Sequence, residues 1–441
     1  MLMTISQPRI ITHSDKIRLT STIRLEKEAE CELRELWFEV EQEYAEYLCD
    51  ERSDAFLVGM LQYAMRFGYD IKLAAPVTAE LLYNLKNHLI PTLCEASSNK
   101  WHHPQIMTDI TIEPLENASG VGTGMSCGVD SFHATLTHLT NEEGQPKLTH
   151  LFINSIGSFD ANYGKIFKGA PTKEEIKEAT FLRARRIARE LDLPLVESDS
   201  NIYEVYDHRF FSKIHTFSTA FSVLALQKLW RTYLFAGTWG YADFSLHRHD
   251  RKDCAWYDLL TLNCVSTRHL RFYSEGSLKS RVDKTLYIAE NSIAQQELHV
   301  CIKAIENCGI CMKCRRTMLT LDAIGRLGDF SNSFPVDYYR ENHNDYLRWL
   351  AKKIAKKDAF SMDIYATLLE KGMHLDALQP MIREFEQLET ERRKPSKQEA
   401  KLLASKKEVR QLKRRINKMQ KSASWRLTKP FRKVTKMLKG S

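Results

Sequence analysis

The 441-residue chain has no apolar run approaching the ~20 residues that cross a bilayer, which excludes a helical membrane-spanning protein. Its first residues, MLMTISQPRIITHSDKIRL, lack the basic-then-apolar pattern of a secretory signal, so the expected compartment is the cytoplasm. Ten cysteines are too few for a disulfide scaffold of this length, and four of them crowd into residues 301–314, an arrangement that points to metal rather than oxidation. Hydrophobic residues make up 43% and charged ones 27%, so wholesale disorder is excluded as well.

Charge is unevenly distributed. Residues 391–441 hold 19 Lys/Arg against 3 Asp/Glu, and the preceding residues hold 45 against 53. A mildly acidic body therefore carries a strongly basic tail, and the overall +8 says little about whether the body binds nucleic acid.

Hydrophobic patterning divides the chain into four parts. Residues 1–115 read as an N-terminal α+β domain without a chemical motif, with a strand at Lys16–Arg24, a charged amphipathic helix at Glu26–Leu48 and another helix at Thr78–Leu93. Residues 116–330 alternate strands (148–156, 193–196, 232–237) with helices (173–191, 217–229). That alternation predicts an α/β fold with a doubly wound parallel sheet, whose ligands sit beyond the carboxyl ends of the strands. Residues 331–394 read as helical. Residues 395–441 open with Pro395 and a capping-box sequence at Ser396–Glu399.

In that last segment Leu402, Val409 and Ile416 recur every seven residues, with Ser405, Leu412 and Met419 three positions after each. Residues 396–421 are thus a candidate for homo-oligomer formation, a solvated single helix being the alternative. Phe431, Val434 and Leu438, ringed by Arg432, Lys433, Lys436 and Lys439, make residues 425–439 a candidate for an anionic membrane surface, with a frayed basic terminus as the alternative.

Two motifs carry chemistry. The first is Gly120-Val-Gly-Thr-Gly124-Met-Ser126-Cys127-Gly128-Val129-Asp130-Ser131 followed by a helix-like stretch, a composition suited to backbone approach to a phosphate at a helix N-terminus. No Lys-Ser/Thr pair follows, which excludes a Walker A loop, and the dinucleotide fingerprint is one residue out of register. Gly124-Met-Ser126-Cys-Gly128 also fits the G-x-S-x-G elbow of a serine hydrolase, although Gly120–Gly124 reads as a poor strand for one. The second motif is Cys301-x6-Cys308-x2-Cys311-x2-Cys314, four thiolate donors for a closed tetrahedral zinc site, with an iron–sulfur cluster as the alternative. Arg315 and Arg316 beside it would ease the thiolate charge.

Ser126-Cys-Gly-Val-Asp130-Ser131 resembles the Ser-Gly-Gly-x-Asp-Ser signature of the PP-loop ATP pyrophosphatases, with Cys127 where that family has glycine. A side chain there would narrow the loop or require a negative φ. The resemblance implies an adenine nucleotide α-hydrolase-like sheet that binds ATP and Mg2+. The backbone of residues 126–131 (Ser126, Cys127, Gly128, Val129, Asp130, Ser131) would then surround the pyrophosphate, with Asp130 near magnesium. The order of loop, sheet and Cys-Gly-x-Cys-x2-Cys-x-Arg is similar to the 7-cyano-7-deazaguanine synthases of queuosine-precursor formation. Arg316 and the Arg183–Ser198 segment match that layout, which covers residues 116–330.

Lys284 resembles the family lysine ahead of the zinc site. With Arg281 as a second candidate, it would neutralise the departing pyrophosphate; the alternative is two surface charges. Asp243, His247, His249, Asp253 and Asp258 are candidates for acid–base groups or magnesium ligands in the loop after residue 237, with a polar surface loop as the alternative. The run around Ser422–Arg432 resembles the C-terminal tails of surface-polysaccharide biosynthesis enzymes.

The expected activity is ATP-dependent adenylation of a carboxylate or carbonyl-type oxygen of a small molecule, such as a glycan precursor, followed by C–N bond formation. The enzyme would be cytoplasmic, peripheral at the inner membrane surface. Three alternatives stand beside it: a serine hydrolase using Ser126, a tRNA-modifying PP-loop enzyme whose tail binds RNA, and a non-catalytic zinc scaffold.

Overall fold

The computed structural model describes residues 1–28, 30–97, 100–140, 144–162, 171–247, 253–393 and 397–421. The basic tail beyond 421, His249, Pro395 and Ser396 lie outside the described residues, as does the side chain of Leu402.

The chain is mixed α/β around one large, mostly parallel sheet. Its strands in chain order are β1 (Leu2–Ile5), β2 (Arg9–His13), β3 (Lys16–Lys27), β4 (Glu30–Glu41), β5 (Asp70–Leu73), β6 (Val77–Thr78), β7 (Ile106–Met107), β8 (Ile110–Thr111), β9 (Gly120–Gly124), β10 (His150–Ser155), β11 (Leu195–Ser200), β12 (Trp230–Ala236) and β13 (Arg271–Glu275). The spatial order is β13-β12-β9-β10-β11-β4-β3-β1-β5-β7, with β2 on β3, while β6 and β8 pair separately. From β9 to β13 every pairing is parallel, and the direction of travel reverses at β9, which lies between β10 and β12.

Residues 1–115 join this sheet directly: β4 pairs antiparallel with β11, Ser198 opposite Val40. The expected helix at Glu26–Leu48 is instead the end of β3, all of β4 and a short turn at Gln42–Tyr47. The charged residues that suit an exposed helix face are matched across strands: Arg18 Nε lies 2.6 Å from Glu39, and Thr20 donates to Glu35 at 2.7 Å. Leu36, Phe38 and Val40 go to the core with period two. Twelve paired residues of the β3–β4 hairpin outweigh local helical periodicity, because strand preference is set by cross-strand neighbours.

The remaining elements fall close to expectation: a helix at Lys173–Glu190, capped by Thr172 and Glu175, a helix at Phe211–Ala225, and β10, β11 and β12. The helix expected at Thr78–Leu93 runs from Ala79 to Ala96, with a π turn at Leu85–Leu89 and Thr78 in β6. Gly120–Gly124 is a full central strand, correcting its reading as a poor one. Trp230 of β12 supplies the bulk that β9 lacks: a Cβ on Gly122 would sit 2.8 Å from its ring. The helix Asp54–Phe67 meets Phe211–Ala225 through Phe56 and Phe221, whose rings pack edge-on at 5.6 Å.

Residues 336–393 are helical, with helices at Val336–Glu341, His343–Ala355, Ala359–Lys371 and Leu375–Arg393, and a last helix follows at Lys397–Lys421. Two compact units result: 1–350 with 359–375, and 351–358 with 376–441. In the last helix Val409, Leu412, Ile416 and Met419 are exposed. Among the described residues no helix is long and apolar enough to cross a membrane.

Candidate functional site

The Gly-rich motif forms the turn between β9 and the helix Val129–Thr137, at the carboxyl end of a strand flanked by two parallel neighbours. Gly128 caps the helix. Ser126 Oγ donates to Ser131 Oγ at 3.3 Å, and Ser131 Oγ donates to the Gly128 carbonyl at 2.9 Å. Among the described residues no imidazole is hydrogen-bonded to Ser126 Oγ.

Cys127 has φ +60°, correcting the expectation of a negative φ. Its side chain is fully buried, with Sγ 3.9 Å from the Thr180 carbonyl, and its own carbonyl accepts from His299 N at 2.8 Å. Holding a non-glycine residue in the left-handed region costs about 1–2 kcal/mol, offset here by burial of the thiol. Burial pushes that thiol up to about 12, which makes it an inert packing group rather than a nucleophile.

Helix Arg281–Ile288 supplies the cations. Its start is fixed by a capping box in which Ser280 Oγ accepts from Asp283 N at 3.1 Å and Asp283 accepts from Ser280 N at 3.0 Å. Arg281 and Lys284, three apart, therefore share a face. Arg281 Nη2 lies 2.8 Å from Asp130, and Lys284 Nζ lies 3.3 Å from Asp130 while donating to the Gly237 carbonyl at 2.6 Å. Lys284 is 2% exposed, and burial holds its ammonium below the ordinary lysine value, with Asp130 pulling the other way. The three residues expected to act together do meet, across about 150 residues of sequence.

Two further cations arrive on the helix Met312–Ile324. Lys313 feels the guanidiniums of Arg316 and Arg281 and the carboxylate of Asp130, and burial holds its ammonium down. The Arg316 guanidinium lies 4.2 Å above the ring of Phe360, and that of Arg281 lies 5.3 Å from the same ring. Phe360 stacks on Trp239 at 4.6 Å, and Trp239 on Trp256 at 4.0 Å. Trp239 and Trp256 border a pocket that Gly237, Ser274, Ser277 and Asp258 also line. Nothing in local spacing marked Lys313, Trp239 or Phe360, which are brought in from separate elements.

The loop candidates separate. Asp258 lines the pocket, accepts from Thr216 Oγ1 at 2.5 Å and is pushed up to about 6 by burial. Asp253 pairs with His215 at 2.7 Å, a residue the sequence gave no reason to single out. Asp243 lies half-buried in the turn Tyr241–Asp243 and His247 is exposed, neither lining the pocket.

The four expected thiols converge: the sulfurs of Cys301, Cys308, Cys311 and Cys314 lie within 4.8 Å of one another, with Cys308 and Cys314 4.0 Å apart. A tetrahedron of thiolates 2.3 Å from zinc has sulfurs about 3.8 Å apart, so the donor set fits a closed site for a metal such as zinc. Backbone N–H groups of Lys303, Cys311 and Cys314 approach Cys301, Cys308 and Cys311 at 3.3–3.4 Å. Asn307 organises the loop from inside, accepting from Val300 N and Cys301 N at 2.9 and 3.1 Å and donating to the Leu298 and Ser333 carbonyls at 2.8 Å each. The Arg183–Ser198 segment docks beside it: Arg183 reaches Glu297 and Glu306 at 3.1 and 2.9 Å, and Arg186 reaches Glu297 at 2.8 Å.

No model of a known protein family, no curated protein and no solved structure matches this chain.

Proposed function

We propose that the chain is an ATP-dependent enzyme of PP-loop type, with β9 to β13 as its doubly wound nucleotide-binding sheet. The observation that carries this reading is charge. Arg281 and Lys284 contact the Asp130 carboxylate, and Lys313 feels that carboxylate together with the guanidiniums of Arg281 and Arg316, beside the turn that leads into a helix N-terminus. Cations gathered beside such a turn suit a polyanion such as the triphosphate of ATP.

In this reading the backbone of residues 126–131 cradles the pyrophosphate and Asp130 meets magnesium. A substrate carboxylate or carbonyl-type oxygen attacks the α-phosphorus, forming a P–O bond while the bond to pyrophosphate breaks. Lys284 and Arg281 take up the charge of the leaving group. Ammonia then displaces AMP, giving an amide or related C–N bond and a released proton. Catalysis comes from positioning and charge neutralisation. Zinc at the four cysteines would hold the helix that carries Lys313 and Arg316 against the loop. The helix Lys397–Lys421 would pair copies of the chain, and residues 425–439 would rest on an anionic membrane, in keeping with a glycan precursor as substrate.

Titration calorimetry of Mg·ATP into zinc-loaded protein, wild type beside Asp130→Asn, tests the reading. Saturable binding that the substitution weakens at least tenfold is expected, and screening of carboxylates for pyrophosphate release would follow. Absence of binding by the wild type would discard the nucleotide reading in favour of a zinc scaffold.

A further inference from the structure

A second cluster of metal-binding side chains lies apart from the four cysteines. Asp322 sits near the end of the helix Met312–Ile324, His343 opens the helix His343–Ala355, and His374 directly precedes the helix Leu375–Arg393. One ligand atom from each lies within 4.8 Å of the others. His374 Nε2 is 3.0 Å and His343 Nε2 is 3.7 Å from the same oxygen, Asp322 Oδ2.

Hydrogen bonding accounts for only half of this arrangement. The 3.0 Å contact is an ordinary hydrogen bond, but 3.7 Å is too long for one. His343 Nε2 is buried without a hydrogen-bond partner. A buried ring nitrogen left unpaired costs about 1–3 kcal/mol, so something other than a proton should justify two imidazoles aimed at one carboxylate oxygen. An ion held about 2.0–2.1 Å from each donor in tetrahedral geometry would set the donors roughly 3.3 Å apart, between the two observed separations.

The surroundings are those of a ligand set. The Tyr339 hydroxyl donates to Asp322 Oδ2 at 2.8 Å, fixing the carboxylate as second partners of metal ligands do. His374 has φ +58°, a conformation uncommon for a residue other than glycine. The side chains of Asp322, His343 and His374 are 23%, 28% and 27% exposed, which leaves a route for an ion.

We propose that Asp322, His343 and His374 bind one divalent transition-metal ion of the zinc, cobalt or iron(II) class. Two imidazoles and one carboxylate suit such ions, and three protein ligands leave a position for water or another small ligand. This separates the site in kind from the closed four-thiolate site. Both are tied to one helix, which holds Cys314 near its start and Asp322 eight residues later, roughly 12 Å along the axis.

Cobalt(II) tests this on the full chain. Metal-stripped protein titrated with cobalt should take up two equivalents. One should give the intense near-ultraviolet sulfur-to-cobalt band of thiolate ligation, the other only weak visible bands. His374→Ala and, separately, Asp322→Asn should each reduce the uptake to one equivalent and keep the sulfur band. Cys308→Ser should weaken that band and spare the second equivalent. His374→Ala changes a partly exposed side chain, so it reports even if Asp322→Asn fails to fold. A wild type that stops at one equivalent, or a His374→Ala protein that still takes two, would overturn the proposal.

Discussion

The ammonium of Lys284 lies 3.3 Å from the carboxylate of Asp130 and is almost completely enclosed. Removing the carboxylate leaves a buried cation beside Arg281, hydrogen-bonded to the Gly237 carbonyl and without its nearest counter-charge. Asp130→Leu should therefore destabilise the fold by about 3 kcal/mol, read by urea denaturation. Lys284→Met, which removes the enclosed charge itself, should cost less. Equal losses from the two substitutions would mean that the pair is not the enclosed charge contact described.

Cys127→Gly relieves the left-handed strain and loses the packing of one thiol, effects of opposite sign and similar size. Its stability should stay within about 1 kcal/mol of wild type. Cys127→Val, β-branched at the same φ, should lose 2 kcal/mol or more, on the order expected for a strained and overpacked site. Chemical denaturation of both variants checks the ordering. Iodoacetamide at pH 8 should leave Cys127 unmodified in the folded protein, because burial suppresses its thiolate.

Acid should act through His133. Burial, reinforced by Lys284, brings its imidazole down to about 4, so the unfolded chain takes up the proton first as pH falls. The stability tied to His133 is complete above pH 6.5 and is lost between there and pH 4. His133→Phe should lessen the stability lost over that interval by about 2 kcal/mol after allowance for partial solvent screening. Identical pH–stability profiles for variant and wild type would refute this.

Asn307 satisfies two N–H groups and two carbonyls around the cysteine loop. Asn307→Ala should cost about 3 kcal/mol and should weaken cobalt uptake by the four thiols at least tenfold. Chelation of the metal should lower Tm by a larger margin, since a structural zinc site can supply on the order of 10 kcal/mol. A melting curve indifferent to chelator would remove zinc from the account of stability.

Local spacing carried the cysteine cluster and the Asp130 turn, because metal ligation and helix starts are decided within a few residues. Helices with capping residues, such as Lys173–Glu190, were legible for the same reason. Where long-range pairing decides, the sequence misleads. Glu30–Glu41 has the charge pattern of a helix and is a strand, and Gly120–Gly124 lacks side chains because Trp230 fills their place. Asp322 and His343 sit in two helices and His374 in the turn before a third, and no short motif records their approach.

The seam between β4 and β11 makes the N-terminal part indispensable to the parallel part. A fragment beginning near residue 116 would leave β11 as a bare edge, its ladder groups from Ser198 to Ser200 without partners. Such an edge is a template for another strand, and the fragment would meet copies of itself before any substrate. The two parts are then expected to fold as one cooperative unit, and dissection of this chain into a free-standing parallel-sheet module is closed off by its own hydrogen-bond ladder.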